Sequence, residues 1–506
     1  MVLEERKNKI TLENTRKSSI EISKEEFRKI GHQLIDDISD FIDSIDQKPV
    51  TSNESPAQLQ NLLGPSQLPK AGKPAAELIS KTTELLFNNS LLNGHPKFFG
   101  YITSSAAPIG ALADLLAASV NPNVGAHILS PITTEIEKQT ITWLAEFIGL
   151  SPNYGGLLVS GGNMANFTAF LAARTAKAPT TIKEEGIASC SKKLTVYCST
   201  TTHTWVEKAA VLFGLGTKAV RWIQTDTSNK MDTKVLEDTI AADLKNDCKP
   251  IMVIGTAGDV STGMVDNLDA IAVVCKKHDL WFHIDGAYGV PAAVVPKFNY
   301  LFEGIKEADS IALDPHKWLY SPLEAGCTLV KNPQHLIDTF SSHPEYYNFS
   351  NGEDEKTQNF YEYGLQNSRG FRALKVWLAL QQVGRSGYEK LINEDIELSQ
   401  MLFGLAEKHP ELEAVSQNLS ITTFRYVPLN NSKGNDYLNA LNEALLNELQ
   451  AGGEVFISNA IVNKKYCLRA CIVNFRTSQK DIKEIIKIII QSGRRVNLNL
   501  SQTEKG

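Results

Sequence analysis

The 506 residues carry 42% apolar and 21% charged side chains and a net charge of −6. So mild an acidic balance excludes the clustered Lys and Arg footprint of a nucleic-acid-binding protein. A chain of this length exceeds one ordinary core, so one large domain with smaller terminal ones is expected.

Residues 1–22 are polar and mixed in charge and are expected to form a mobile extension. The start of the chain has no apolar h-region, and no apolar stretch approaches the roughly 18 residues of a membrane span. Cytoplasm is therefore the expected location, with no membrane partner. The spacing of Phe27, Ile30, Leu34, Ile35, Ile38 and Phe41 predicts an amphipathic helix from Ser23. A Pro/Ser/Gly-rich connection, 49–74, leads to a second such helix over Ala75–Leu86, giving a helical segment over 23–90.

From about Leu150 short apolar runs alternate with longer helical patterns. Runs at 156–160, 194–198, 251–254, 280–284 and 310–313 read as buried strands separated by helices. Such a pattern means right-handed βαβ units and a mainly parallel sheet, with ligands at the carboxyl ends of the strands. Residues 91–386 are assigned to this α/β domain. After Gly387 the pattern changes to amphipathic helices between short strands, so 387–506 is expected to form a small α+β domain. The seven cysteines show no CxxC spacing; reduced, buried thiols are expected and no metal centre.

Four strand ends carry residues that could do chemistry. Ser160-Gly161-Gly162-Asn163 joins a strand to a helix, where first-turn N–H groups suit a phosphate, although an ordinary strand–helix turn reads the same way. His203 follows the strand ending near Ser199; it is either structural or a ring-stacking proton donor. Asp285 closes the run 280–284 before Gly286 and Ala287, and by itself could cap a helix, bind a metal or pair with a cofactor.

Lys317 lies in Asp314-Pro315-His316-Lys317-Trp318, after a further strand. Pro315 stiffens this turn, His316 offers a donor, and Trp318 and Leu319 bury the flanking chain. A strand-end amine with a strand-end carboxylate can hold an aldehyde cofactor by imine and salt bridge together, and that cofactor is pyridoxal phosphate. Asp285 would keep the pyridine nitrogen protonated, and the small Ala287 would let the ring lie close to the backbone.

With these residues in place, the chain resembles the group II pyridoxal-phosphate-dependent amino acid decarboxylases, the relatives of aromatic-L-amino-acid and glutamate decarboxylases. The resemblance runs from about Ser23 to near the end. It includes His95-Pro96-Lys97-Phe98-Phe99-Gly100-Tyr101, Asp285-Gly286-Ala287-Tyr288-Gly289, Pro315-His316-Lys317-Trp318 and Gln366-Asn367-Ser368-Arg369. It implies the type I transferase fold, a homodimer with shared active sites, and decarboxylation of an L-amino acid.

The resemblance also implies roles. Lys317 would carry the cofactor covalently, Asp285 pair with its ring nitrogen and His203 stack on the ring. Gly162, Asn163 and His316 would hold the phosphate, with Ser368 reaching it from a neighbouring loop. Tyr346, or its neighbour Tyr347, would return a proton to the α-carbon from a mobile loop. Where relatives read Gly-Thr-Ala-Gly-Thr-Thr, this chain has Gly255-Thr256-Ala257-Gly258-Asp259-Val260, so one hydroxyl near the cofactor is lost, worth on the order of 1 kcal/mol.

An aldehyde synthase, an aminotransferase using Arg372 or Arg469 for the substrate carboxylate, and a non-catalytic binding protein of the same fold are the alternatives. Segments 98–103 and 123–128 are expected to line a side-chain pocket shared across a dimer interface and lean towards an aromatic substrate.

Overall fold

A computed structural model of the chain describes residues 18–342, 357–430 and 432–503. The chain divides into two compact units, Met1–Leu91 and Leu92–Gly506.

In the first unit, helix Lys24–Asp43 begins where expected, because the Ser23 hydroxyl accepts the Glu26 N–H at 3.1 Å and caps it. Its apolar stripe is largely open: Phe27 and Ile35 are exposed, while Phe41 stacks on Phe87 of helix Ala75–Asn89 at 4.1 Å. The expected connection over 49–74 contains a short helix of its own, Pro56–Leu63. Its start is a reciprocal box in which Ser55 and Gln58 bond each other's backbone.

The second unit is built on a seven-stranded sheet. The five expected strands form as β1 (Gly155–Val159), β2 (Lys193–Ser199), β4 (Cys248–Thr256), β5 (Trp281–Asp285) and β6 (Ser310–Leu313). Two more, β3 (Val220–Ile223) and β7 (Gly326–Val330), complete the order β1-β7-β6-β5-β4-β2-β3. Strand β7 runs antiparallel to both its neighbours; every other pairing is parallel. Strands β4 to β7 are almost wholly buried, as expected for a sheet covered by helices on both faces.

A second sheet is antiparallel, in the order β10-β11-β9-β8, formed by Ser458–Val462, Lys465–Cys471, Ile421–Tyr426 and Leu412–Asn418. Helices Asn435–Gly452 and Gln479–Thr503 build its core with it through Leu441, Leu445, Ile485 and Ile489. The long helix Ala373–Lys408, bent at Gly384 where φ is 67°, contacts β8 and β9 of the antiparallel sheet and helices Pro108–Val120 and Pro131–Phe147 beside the larger one. Its Asp395 is buried and accepts from the Trp318 indole at 2.9 Å and the Tyr320 hydroxyl at 2.7 Å. Burial pushes the Asp395 carboxyl up to about 7. Trp318 and Tyr320, one and three residues after Lys317, are thereby tied to a helix far along the chain.

All seven cysteines are free, and six are buried. Among the described residues no helix is long and apolar enough to cross a membrane, and no cluster of His, Cys, Asp and Glu could hold a metal ion.

Candidate active site

The parallel strands deliver their ends to one cavity of about 700 Å³. Gly162, Asn163, His203, Asp285, His316 and Lys317 all line it. Hydrogen-bonding register explains part of this convergence: Asp285 lies opposite Thr256 of β4 and Ala312 of β6.

The turn after β1 needs its glycines. Gly161 has φ 125°, a conformation open to glycine and strained for other residues. A Cβ on Gly162 would lie 2.6 Å from Asp314 Oδ2 and 3.3 Å from the Ala287 methyl. Helix Gly162–Lys177 starts at this point, so the N–H groups of Gly162, Asn163 and Met164 have no acceptor inside the helix. All three residues line the cavity, forming a backbone cradle for an anion. The His316 ring flanks it, its Cε1 3.2 Å from where a Gly161 Cβ would be.

Lys317 closes a turn through its N–H to Asp314 O at 2.9 Å, and its Nζ sits 3.1 Å from Asp314 Oδ2. Asp314 is buried, and its Oδ1 has no hydrogen-bond partner among the described residues. Sequence reasoning passed over Asp314, although its spacing of three residues from Lys317 on a tight turn was a usable signal. Tyr288 stacks on Trp318 at 5.1 Å, holding the far side of the same segment.

Asp285 is anchored by two donors. The Trp205 indole Nε1 donates to Oδ2 at 2.7 Å, and the Ala287 N–H donates to Oδ1 at 3.2 Å. His203 accepts the Trp205 backbone N–H on Nδ1 at 3.3 Å, which leaves Nε2 to carry the ring proton. Solvent reaches His203 through the open cavity, yet desolvation by the surrounding protein lowers its pKa below the usual value, outweighing the pull of Asp285. The imidazole is therefore neutral near pH 7.

The departure at Asp259-Val260 has a structural role that sequence reasoning did not give it. Asp259 is buried and accepts the N–H groups of Ser261, Thr262 and Met264 at 2.8, 2.9 and 2.8 Å, as well as the Thr262 hydroxyl. Val260 is thereby presented on the cavity wall. In the segment 98–103, residues Tyr101, Ile102 and Thr103 line the cavity, whereas none of 123–128 does. Ser368 is exposed and is not brought to the cavity. Arg372 is bonded to Glu324 at 2.9 Å, and Arg469 donates to Ser458 Oγ and to Tyr101 O. Tyr346 and Tyr347 lie outside the described residues.

Residues 56–427 match the pyridoxal-dependent decarboxylase conserved domain. The chain belongs to this family. Aromatic-L-amino-acid decarboxylase of Bacillus atrophaeus is 34% identical over 95% of the chain and 98% of its own length. Phenylacetaldehyde synthase of a Rosa hybrid cultivar is 29% identical over 92% of the chain and 93% of its own. Among solved structures, tryptophan decarboxylase of Catharanthus roseus in complex with L-tryptophan superposes with a TM-score of 0.85. It is 26% identical, covering 94% of this chain and 99% of that one.

As a member of the pyridoxal-dependent decarboxylases the chain is a carboxy-lyase that uses pyridoxal phosphate to convert an L-amino acid into its amine and carbon dioxide. The cavity fits that cofactor: the cradle that a Cβ at Gly162 would fill suits an anion, the Lys317 amine suits an aldehyde, and the anchored Asp285 carboxylate suits a protonated ring nitrogen.

Proposed function

We propose that the substrate is an aromatic L-amino acid, and that Lys317, Asp285, His203 and the Gly162 turn act on it in the roles their positions suit. The observation carrying the substrate class is the cavity mouth. Tyr101, Val260 and Leu323 line the cavity with more than a third of their surface exposed, and Ile102 sits beside them. The acidic Glu324 at the same mouth is paired with Arg372. An apolar ring buries well there, while a substrate side-chain carboxylate would be desolvated with no arginine among the described lining residues to receive it. The aromatic substrates named for the Bacillus and Catharanthus proteins support the same class.

Pyridoxal phosphate, when bound, supplies an electron-accepting ring that takes up the pair left as the carboxylate departs. Lys317 would hold the cofactor's aldehyde group, with Asp314 as the counter-charge to its amine. Asp285 would keep the ring nitrogen protonated. Neutral His203, its proton on Nε2, would donate towards the substrate carboxyl, and Gly162, Asn163 and His316 would hold the phosphate. Tyr346 or Tyr347, both outside the described residues, would return the proton to the α-carbon.

Screening the twenty amino acids with dihydroxyphenylalanine and 2,4-diaminobutyrate for carbon dioxide and ammonia tests this reading. The expected result is carbon dioxide without ammonia from tryptophan, tyrosine, phenylalanine or dihydroxyphenylalanine. Preference for glutamate would overturn the substrate class, and stoichiometric ammonia would make the chain an aldehyde synthase.

A homodimer in the cytoplasm completes the proposal. Leu112, Leu115, Leu116 and Val120 form an exposed apolar stripe on helix Pro108–Val120, with Ile128, Leu129 and Ile132 also open. Such a patch supports a subunit interface, and the free cysteines suit a reducing compartment. Sedimentation should give twice the 55.7 kDa chain mass; a monomer at micromolar concentration contradicts the dimer. Recovery in a secreted or membrane fraction contradicts the compartment.

A further inference from the structure

Trp205 lies two residues beyond the proposed ring-stacking histidine and 80 residues before Asp285, yet its indole reaches that carboxylate. We propose that Trp205 is a positioning residue for the cofactor's ring nitrogen, its indole N–H holding Asp285 in the orientation that meets the ring. The inference rests on the assignment of Asp285 to the ring nitrogen.

The tryptophan is itself held rigidly. It is 1% exposed, stands edge-on to Phe170 at 6.4 Å and to His283 at 5.9 Å, and leans on Phe167 at 6.5 Å. Its Nε1–H therefore has one direction available, and it ends on Asp285 Oδ2 at 2.7 Å.

An ionised carboxylate has roughly four lone-pair sites. Trp205 occupies one on Oδ2 and the Ala287 N–H one on Oδ1, so rotation of the Asp285 side chain would give up both bonds. The lone pairs left over are those the cavity can use. No other side chain replaces this donor among the described residues. His283 stands closest in the sequence, but its Nδ1 and Nε2 are committed to Ser310 and Asn166 at 2.8 and 2.7 Å.

The same residue also bonds His203 through its backbone N–H. Trp205 thus connects to both cofactor-facing groups, the carboxylate through its side chain and the imidazole through its main chain. Substitution of the side chain separates the two, because the main-chain bond survives.

The test is a thermodynamic cycle on the full-length apo-protein, read by calorimetric titration with pyridoxal phosphate and with 1-deazapyridoxal phosphate, in which carbon replaces the ring nitrogen. Trp205→Phe keeps an aromatic ring in the packing and removes the donor. It should weaken pyridoxal phosphate binding about tenfold, the scale of one hydrogen bond to a charged group. For the deaza analogue, which offers Asp285 no N–H, the change should stay below about twofold.

Equal weakening of both ligands would reduce Trp205 to a packing residue, and no weakening of either would remove it from the site; both overturn the proposal. Trp205→Leu, which also lacks a side-chain donor, carries the same comparison if the phenylalanine variant is insoluble. Asp285→Ala separates the premise from the inference: if it too affects both ligands equally, the placement of Asp285 on the ring nitrogen fails. If it discriminates between them while Trp205→Phe does not, only the role of Trp205 fails.

Discussion

Lys317→Ala should lower turnover by at least about a thousandfold and remove the near-visible absorbance of covalently held cofactor. Among the described residues lining the cavity Lys317 supplies the one primary amine, so no neighbour can take over the covalent link. The substitution also strips Asp314 of its cation, and Asp314 is buried with one oxygen already unpartnered. Lost activity could then reflect misfolding alone. Lys317→Arg resolves this, because it keeps a cation beside Asp314 and forms no stable imine. Both variants should lose the absorbance band, while the arginine variant keeps a melting temperature near that of the parent. Retention of the band in either would sink the assignment of Lys317.

The second large effect is on stability. Arg369 and Glu137 form a fully buried ion pair, with Nη2 to Oε1 at 2.5 Å and Nη1 to Oε2 at 3.3 Å. Arg369 also donates to the carbonyls of Val124 and Leu158 at 2.8 and 2.6 Å and lies 4.8 Å from the Phe360 ring centre. Glu137 in turn accepts the Leu158 N–H at 2.9 Å. Leu158 is the second-last residue of β1, so this pair holds the strand that leads into the Gly161-Gly162 turn.

Removing one partner strands the other as an uncompensated buried charge, a loss of about 3–5 kcal/mol. Arg369→Met should therefore lower the unfolding free energy in urea by that amount. Adding Glu137→Gln should recover part of it, because the stranded charge is gone. A loss below about 1 kcal/mol for the single variant, the range of a surface pair, would show that the pair does not carry β1.

Much of the chemistry was legible because each group sits at a strand end. Asp285 and the glycine turn follow apolar runs directly, and Lys317 stands only four residues beyond β6. In an α/β sheet those positions share one edge by topology. Other features were less visible. Strand β7 follows β6 after a short connection and runs back against it, so its apolar run lacked the intervening helix that marked the parallel strands. The helix Pro56–Leu63 was hidden by its proline and serine surroundings, although Ser55 and Gln58 carried its capping signal.

The sequence by itself determined the fold class and the cofactor and singled out Lys317 as the proposed covalent anchor, because periodicity and strand-end position are local properties that survive without knowledge of partners. Tertiary structure decided what those groups touch. Trp205 reaches Asp285 across 80 residues, Arg369 reaches Glu137 across 232, and Trp318 reaches Asp395 across 77. Such pairs obey no spacing rule. They arise when the sheet order brings distant segments together and buried polar groups must find partners there.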